Sequence, residues 1–286
     1  IQAEKHGLVT RYYEDGLVQS SMNYKNGIKH GECKTFYENG DPNQVYSYEN
    51  GVRSGAGMEY HSDVRAEIFF KNDKLEGPFK TFSGELLNAE GEYKNGEVHG
   101  TLKQYSYAED PNILTAITAN YIDGVLNGTY SNRLIVLDKN IDQLIDSIYY
   151  VNGKKGGFYY LFGTDTSIVG NYSNDMKHGS WLYVSKKRYD AGFTKKCIIK
   201  QGAYDMGQRT GVWGYYNENG QIDSVGTYLL DKKDGTWSYF EVDDNGSSDY
   251  LININFSGGE KNGPFLIKDE KNKLSTKGSF KNNMYH

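Results

Sequence analysis

The chain has 286 residues, with 34 glycines, 26 tyrosines and only 4 prolines, and a net charge of −5 from 32 basic and 37 acidic residues. Abundant glycine and tyrosine favour short strands joined by tight turns, and 12 phenylalanines with 3 tryptophans supply enough apolar surface to exclude a disordered chain. No apolar run approaches the ~18 residues of a membrane-spanning helix. Net acidity gives no general attraction to nucleic acid, so we expect neither a membrane span nor a nucleic-acid partner.

One short phrase recurs along the chain, as Tyr-Lys-Asn-Gly-Ile-Lys-His-Gly at residues 24–31 and Tyr-Lys-Asn-Gly-Glu-Val-His-Gly at 93–100. Its aromatic residue, here called the anchor and numbered position 0, occurs at Tyr24, Tyr48, Phe70, Tyr93, Tyr121, Tyr150, Tyr172, Tyr204, Tyr228, Phe256 and, in a shortened last copy, Phe280. A glycine stands at position 7 of every complete copy: Gly31, Gly55, Gly77, Gly100, Gly128, Gly157, Gly179, Gly211, Gly235 and Gly263. A period of 22 to 32 residues kept from end to end indicates a repeat array.

Each repeat carries two turn signals. Position 3 is Gly in most copies and Asp in three, and both residue types tolerate positive φ. Asn or Asp at position 2 then predicts a type I′ hairpin turn, as at Asn26-Gly27, Asn95-Gly96 and Asn152-Gly153. A second turn follows in the same unit, for example at Glu38-Asn39-Gly40. Two turns in about 24 residues leave two strands per repeat.

The sequence therefore predicts an all-β fold, an elongated single-sheet solenoid of about ten to eleven antiparallel β-hairpin repeats. Because neither a linker nor a change of composition interrupts the array, we expect one domain over residues 1–286. The chain begins at Ile1 rather than at Met, which favours removal of an upstream export signal and a location in the periplasm or at the cell surface.

The phrase Tyr-x-Asn-Gly-x-x-x-Gly-x-(Trp/Phe)-x-x-(Tyr/Phe)-Tyr-Glu-Asn-Gly resembles the MORN repeat, especially its bacterial variant form, and its clearest copies are residues 31–40 and 211–220. The resemblance covers nearly the whole chain. It implies a β-hairpin scaffold for protein interaction, sometimes credited with lipid binding, and some bacterial variants carry an antitoxin label. The departures are Asp73, Asp175 and Asp231 at position 3, together with several long insertions.

The sequence gives little support for a site of shared histidine ligands to a metal ion or for a disulfide. His30, His99 and His178 all occupy position 6, but neighbouring repeats place equivalent residues about 10 Å apart, too far for two imidazoles to share one metal ion. Cys33 and Cys197 lie six repeats apart, so no disulfide joins them. We expect no metal and no cofactor.

The sequence also gives little support for a calcium site or for a catalytic site. Residues 241–249 resemble a calcium loop but lack its final bidentate Glu, since Ile252 stands there. No nucleophile, phosphate-loop or metalloprotease motif is present in the sequence, which indicates a non-enzymatic protein.

The three tryptophans all occupy position 9 of consecutive repeats, and a tyrosine follows each of them two residues later: Trp181 and Tyr183, Trp213 and Tyr215, Trp237 and Tyr239. Strand alternation places all six on one face. One interpretation is that position 9 is the buried face of the repeat. The other is a partly exposed aromatic ladder on which an oligosaccharide or an extended peptide stacks.

Four insertions follow the aromatic second strand and lie on one edge of the sheet: residues 106–114, 138–146, 186–196 and 241–249. The third is basic, and its residues Lys186, Lys187 and Arg188 could steer an acidic partner. The function predicted from sequence is a non-enzymatic scaffold for an unidentified protein partner. The alternatives are a carbohydrate-binding surface on the aromatic ladder and an antitoxin-like inhibitor of a toxin.

Overall fold

A computed structural model describes residues 4–187, 197–242, 248–269 and 273–286, and almost all of them lie in one antiparallel sheet of 24 strands. The all-β, hairpin-repeat prediction is confirmed. The strands in chain order are β1 (Gly7–Tyr12), β2 (Val18–Lys25), β3 (Ile28–Phe36), β4 (Pro42–Glu49), β5 (Val52–His61), β6 (Val64–Lys71), β7 (Lys74–Leu75), β8 (Gly77–Ser83), β9 (Leu86–Lys94), β10 (Glu97–Tyr107), β11 (Ile113–Ile122), β12 (Val125–Val136), β13 (Ile141–Val151), β14 (Lys154–Phe162), β15 (Thr166–Ser173), β16 (Met176–Ser185), β17 (Ile198–Asp205), β18 (Gln208–Tyr216), β19 (Ile222–Leu229), β20 (Lys232–Val242), β21 (Ser248–Ser257), β22 (Glu260–Asp269), β23 (Leu274–Lys281) and β24 (Met284–Tyr285). A short 3₁₀ helix covers Leu137–Lys139, and no helix in the described ranges could cross a lipid bilayer.

The predicted hairpin turns are confirmed. Asn26 and Gly27 have φ values of 50° and 78°, and positive φ at two successive residues is the requirement of a type I′ turn. The same pattern holds at Asn95-Gly96 and Asn152-Gly153. The three Asp residues at position 3 adopt it too, with φ between 64° and 67°.

The glycine at position 7 marks a bulge in each hairpin. All ten of these glycines have φ between 64° and 111°, in the left-handed region. In the first complete repeat, Met22 pairs with Cys33 and Tyr24 with Lys29, so that residues 30–32 stand opposite Asn23 alone. Such a bulge increases the local twist of the strand that carries it.

Successive hairpins are joined at their turns as well as along their strands. In most copies, the amide of the position 3 residue donates a hydrogen bond to the carbonyl of position 5 in the preceding repeat, as from Gly51 to Lys29 at 2.9 Å and from Gly207 to Lys177 at 2.8 Å. We call this contact the turn clasp. It satisfies backbone groups that an isolated hairpin would leave to water.

The chain forms two compact units, unit 1 over Ile1–Gln143 and unit 2 over Leu144–His286. The core of unit 1 is built from side chains of mixed size, including Cys33, Tyr46, Phe70, Phe79 and Leu114. Unit 2 has a core of large aromatic rings, in which Trp181, Tyr183, Trp213, Tyr228 and Trp237 form one buried cluster.

Candidate functional site

The position 9 tryptophans are core residues. Trp181, Trp213 and Trp237 are only 2%, 1% and 1% exposed. We call the sheet face that carries the anchors and position 9 the first face, and the opposite face the second face. Because these indoles are covered, they offer no ring on which a sugar could stack. At the three tryptophans, the interpretation of position 9 as the buried face is confirmed, and the alternative of an exposed ladder is wrong.

Each indole is held by the strand before it. Its Nε1–H donates to a backbone carbonyl there, that of Asn171, Ala203 or Thr227, at 3.1, 3.0 and 2.9 Å respectively. The ring also lies directly over a glycine: a Cβ on Gly202 would stand 2.2 Å from Cδ2 of Trp213, and Gly170 and Gly226 are covered in the same way. These glycines, two residues before an anchor, are the sequence signal for burial that the prediction missed.

A lysine lies over two of the three indoles, those of Trp181 and Trp237. Lys177 Nζ lies 4.4 Å from the centroid of Trp181 and donates to the hydroxyl of Tyr183 at 3.1 Å. Lys233 repeats the arrangement at 4.2 Å from Trp237 and 2.7 Å from the Tyr239 hydroxyl. At Trp181 and Trp237, the first face of unit 2 is therefore covered by the chain's own lysines.

Position 5 is the source of these cations, and sequence reasoning did not single it out. In eight repeats a Lys or Arg at position 5 lies within 5.3 Å of the ring centroid of the next anchor. The pairs are Lys5 with Tyr24, Lys29 with Tyr48, Arg53 with Phe70, Lys155 with Tyr172, Lys177 with Tyr204, Arg209 with Tyr228, Lys233 with Phe256 and Lys261 with Phe280.

The ladder tyrosines are tied into the same network. Tyr183 is buried, while Tyr215 and Tyr239 are half-buried, and the hydroxyls of Tyr215 and Tyr228 are 3.3 Å apart. Burial raises the pKa of Tyr204 to about 12, and burial also raises the pKa of Tyr183. These shifts are those of core phenols, which stay neutral far above their ordinary range.

The basic insertion is only partly described. Lys186 Nζ lies 4.5 Å from the ring centroid of Phe162, and Lys187 is exposed. Arg188 and the rest of this insertion lie outside the described residues, as does the middle of the acidic one, residues 243–247.

The Asp residues at position 3, which depart from the repeat pattern, strengthen the turn clasp. Asp231 accepts hydrogen bonds from the backbone amide of Arg209 at 3.0 Å and from its Nε at 2.8 Å. Asp73 does the same with Arg53 at 2.9 and 3.1 Å. The Arg209 guanidinium and then its amide hold the pKa of Asp231 below its usual range, and the Arg53 amide and guanidinium lower that of Asp73.

Two of the three position 6 histidines, His99 and His178, face an aspartate of the next repeat. His99 Nδ1 is 3.1 Å from an oxygen of Asp123, and His178 Nδ1 is 3.3 Å from one of Asp205. Over the described ranges, no three His, Cys, Asp or Glu side chains converge as a metal site would require. Cys33 and Cys197 are both buried thiols.

The second face of unit 2 carries an open groove of about 570 Å³. A row of cross-strand pairs forms its floor, with Val169 opposite Leu182, Leu182 opposite Gln201, and Gly214 opposite Val225. Val212 projects beside this row and is 66% exposed. None of the described residues that line the groove is charged. This surface was not predicted from sequence, although strand alternation places its side chains on the second face, opposite the buried tryptophans.

Comparison with known proteins adds a family assignment for part of the chain. Residues 5–26 and 29–50 match the family described as "MORN repeat variant". No curated protein matches the sequence.

Three solved structures align over most of the chain, with low structural agreement. The crystal structure of TcdB2-TccC3-TEV is 8% identical, with 98% of this chain and 18% of that chain covered and a TM-score of 0.21. The structure of apo AztD from Citrobacter koseri is 8% identical, with 97% and 87% covered and a TM-score of 0.17. A crystal structure of Citrobacter koseri AztD is 10% identical, with 93% and 84% covered and a TM-score of 0.15. The chain thus spans under a fifth of the length of the first of these structures. The comparisons therefore show similarity to the MORN repeat variant over residues 5–26 and 29–50.

Proposed function

We propose that the chain is a non-enzymatic repeat scaffold that binds another protein, and that the contact is made by the second-face groove of unit 2. The observation that supports this proposal is the contrast between the two faces of unit 2. The first face is filled by tryptophans and covered by Lys177 and Lys233, whereas the second face leaves Val212 and the neighbouring groove open to solvent. MORN repeats are in general protein- or membrane-binding scaffolds, which agrees with this assignment.

The chemistry of the groove suits an extended, uncharged and apolar protein segment. Val169, Leu182 and Val225 supply apolar surface, and an uncharged lining gives no reason for a charged side chain to leave water. Gln201 donates a hydrogen bond to the Tyr216 hydroxyl at 2.7 Å, and its carbonyl oxygen and this hydroxyl can also bond to a backbone lying across them. Exposed apolar surface of this kind on a folded protein marks an interaction site.

A short-peptide display library, selected against the immobilised chain, tests the proposal. We expect apolar peptides whose affinity, measured by fluorescence anisotropy, falls about tenfold or more in Val212→Glu, because the change buries an unpaired carboxylate. Val125→Glu is the matched control, since Val125 is a 45% exposed valine beside a hairpin turn of unit 1. Selected peptides that bind Val212→Glu as tightly as they bind the native chain would contradict the proposal.

A further inference from the structure

Three successive repeats of unit 1 lack the position 5 cation of the first face and have Leu75, Val98 and Leu126 there instead. In the repeat that begins at Phe70, position 5 is Leu75 rather than Lys or Arg. The rings that a cation would cover are nevertheless present, because the position 9 residue Phe79 packs against the next anchor, Tyr93, with centroids 4.6 Å apart. In unit 2 the corresponding pair, Trp181 and Tyr204, is covered by Lys177.

The space beside these rings is a cleft of about 520 Å³. The cleft is deep because, in unit 1, small side chains stand in the cross-strand row that carries the ladder tyrosines in unit 2. There, Tyr183 pairs with Lys200, and Lys200 pairs with Tyr215. In unit 1 the same row reads Glu59, Ala66 and Thr81. Two of these side chains are small, so the aromatic walls stand clear of the floor.

A carboxylate lines the cleft. Glu59 accepts a hydrogen bond from the neutral hydroxyl of Tyr46, and the structure, over the residues that it describes, gives Glu59 no salt bridge. Burial raises the pKa of Tyr93, and the nearby charge of Glu59 raises it further. The other charges at the cleft are Arg53 and Asp73, which pair with each other at 3.1 Å, and the exposed Lys74.

We propose that this cleft binds an alkylammonium group, the side chain of a lysine on a bound protein, with its charge near Glu59 and over the rings of Phe79 and Tyr93. The chain itself provides the precedent, since lysines at position 5 occupy the equivalent place in three other repeats. An aromatic wall with one carboxylate selects a cation with an apolar stem. The proposal rests on the proposed function only in that the lysine belongs to a protein partner.

An NMR titration with acetyl-Gly-Lys-Gly-amide tests the site without any partner, so the outcome is independent of the groove in unit 2. We expect shifts of the Phe79 and Tyr93 ring signals and of the Gly96 amide. The same peptide with norleucine in place of lysine should bind roughly 2-fold to 30-fold more weakly, the range that cation–π interactions give. Equal binding of the two peptides would overturn the proposal. Shifts with n-butylammonium but none with the lysine peptide would overturn its assignment to a protein side chain.

Substitution of the chain gives the sharper test. Leu75→Lys supplies the cation that eight other repeats carry, so we expect it to abolish binding of the lysine peptide and to raise the melting temperature. Leu75→Met is the matched neutral control and should keep binding, and Glu59→Gln should weaken it. Leu126→Lys places a lysine at position 5 of the copy that begins at Tyr121, away from the residues that line the cleft, and should leave the cleft unaffected. Retained binding in a folded Leu75→Lys protein, as judged by circular dichroism, would refute the inference.

Discussion

Units 1 and 2 are built with the same turns and the same clasps but with different side chains on both faces. On the first face, unit 2 stacks tryptophan and tyrosine, whereas unit 1 places Cys33, Thr35 and Glu59 at equivalent positions. The second face differs as well. The unit 2 row through Leu182 and Val225 is uncharged, while the unit 1 row contains the ion pairs of Glu90 with Lys80 at 3.8 Å and with Lys103 at 3.3 Å.

The comparison shows that the repeat separates backbone architecture from surface chemistry. Type I′ turns, bulges at position 7 and turn clasps are made by backbone groups, so they tolerate a change in the size of the side chains between them. Both faces of the sheet can then diverge, and in this chain the aromatic core and the open groove fall in the same unit.

The largest expected effect tests how far unit 2 depends on its aromatic core. Trp213→Ala should lower the free energy of unfolding by about 3–5 kcal/mol, because it removes a large buried ring that covers Gly202. Urea denaturation followed by circular dichroism measures the loss. The neighbouring Val212→Ala changes an exposed residue and should cost less than about 0.5 kcal/mol. Similar losses in the free energy of unfolding for the two variants would mean that the buried indole contributes little to the stability of the core.

The second test asks whether the glycine at position 7 contributes equally to stability in both units. Gly211 and Gly100 have φ of 64° and 77°, and an added Cβ would meet no atom within 4 Å at either, so Ala there costs only the backbone conformation. We expect Gly211→Ala and Gly100→Ala each to destabilise the chain by about 1–3 kcal/mol. Asn tolerates this conformation and should recover part of the loss at either site. A loss confined to unit 2 would show that the bulge matters only beside tryptophan.

A smaller effect comes from the cations of the first face. Lys233→Met keeps the apolar stem and removes the charge over Trp237, so we expect a loss of about 0.5–1 kcal/mol. Lys232→Met, at an exposed neighbouring position, is the control. Tryptophan fluorescence during unfolding reports on unit 2, because all three tryptophans lie in it. An unchanged unfolding midpoint for Lys233→Met would show that the cation does not stabilise the core.

The smallest effect concerns the Asp residues of the turn clasp, which occur in both units. The pKa of Asp231 is lower in the folded chain than in the unfolded one, so its contribution is present above the unfolded value and is lost as the pH falls through the folded value. Because the carboxylate is largely exposed, the contribution is well below about 1 kcal/mol. Asp231→Asn should flatten the acid side of the stability profile. Asn283 accepts the equivalent bond from the Lys261 amide at 2.7 Å, so Asn keeps the geometry.

Asp73→Asn should flatten the profile in the same direction, since Arg53 lowers the pKa of Asp73 by the same contacts. Urea unfolding at a series of acidic pH values measures both variants. If both variants lose stability at acidic pH as the native chain does, these ion pairs contribute no stability to the clasp.

Sequence reasoning located the backbone elements because they depend on local residue types. Gly at position 7 and Asn-Gly at the turns are required by positive φ, which few other residues adopt. It did not decide whether the tryptophans were buried, because burial depends on a pairing between strands. The glycines at 170, 202 and 226 make room for the indoles, and the cation at position 5 reaches the next anchor across the sheet. The open groove is likewise a property of neighbouring strands rather than of any one segment.

The turn clasp also bears on how the gene can change. Each clasp joins a repeat only to the one before it, as Gly51 to Lys29 and Asp231 to Arg209. Insertion or loss of one whole repeat therefore replaces a clasp with an equivalent clasp and disturbs no distant contact. An array with one repeat more or one repeat fewer would therefore keep the same turns and the same contacts between successive repeats.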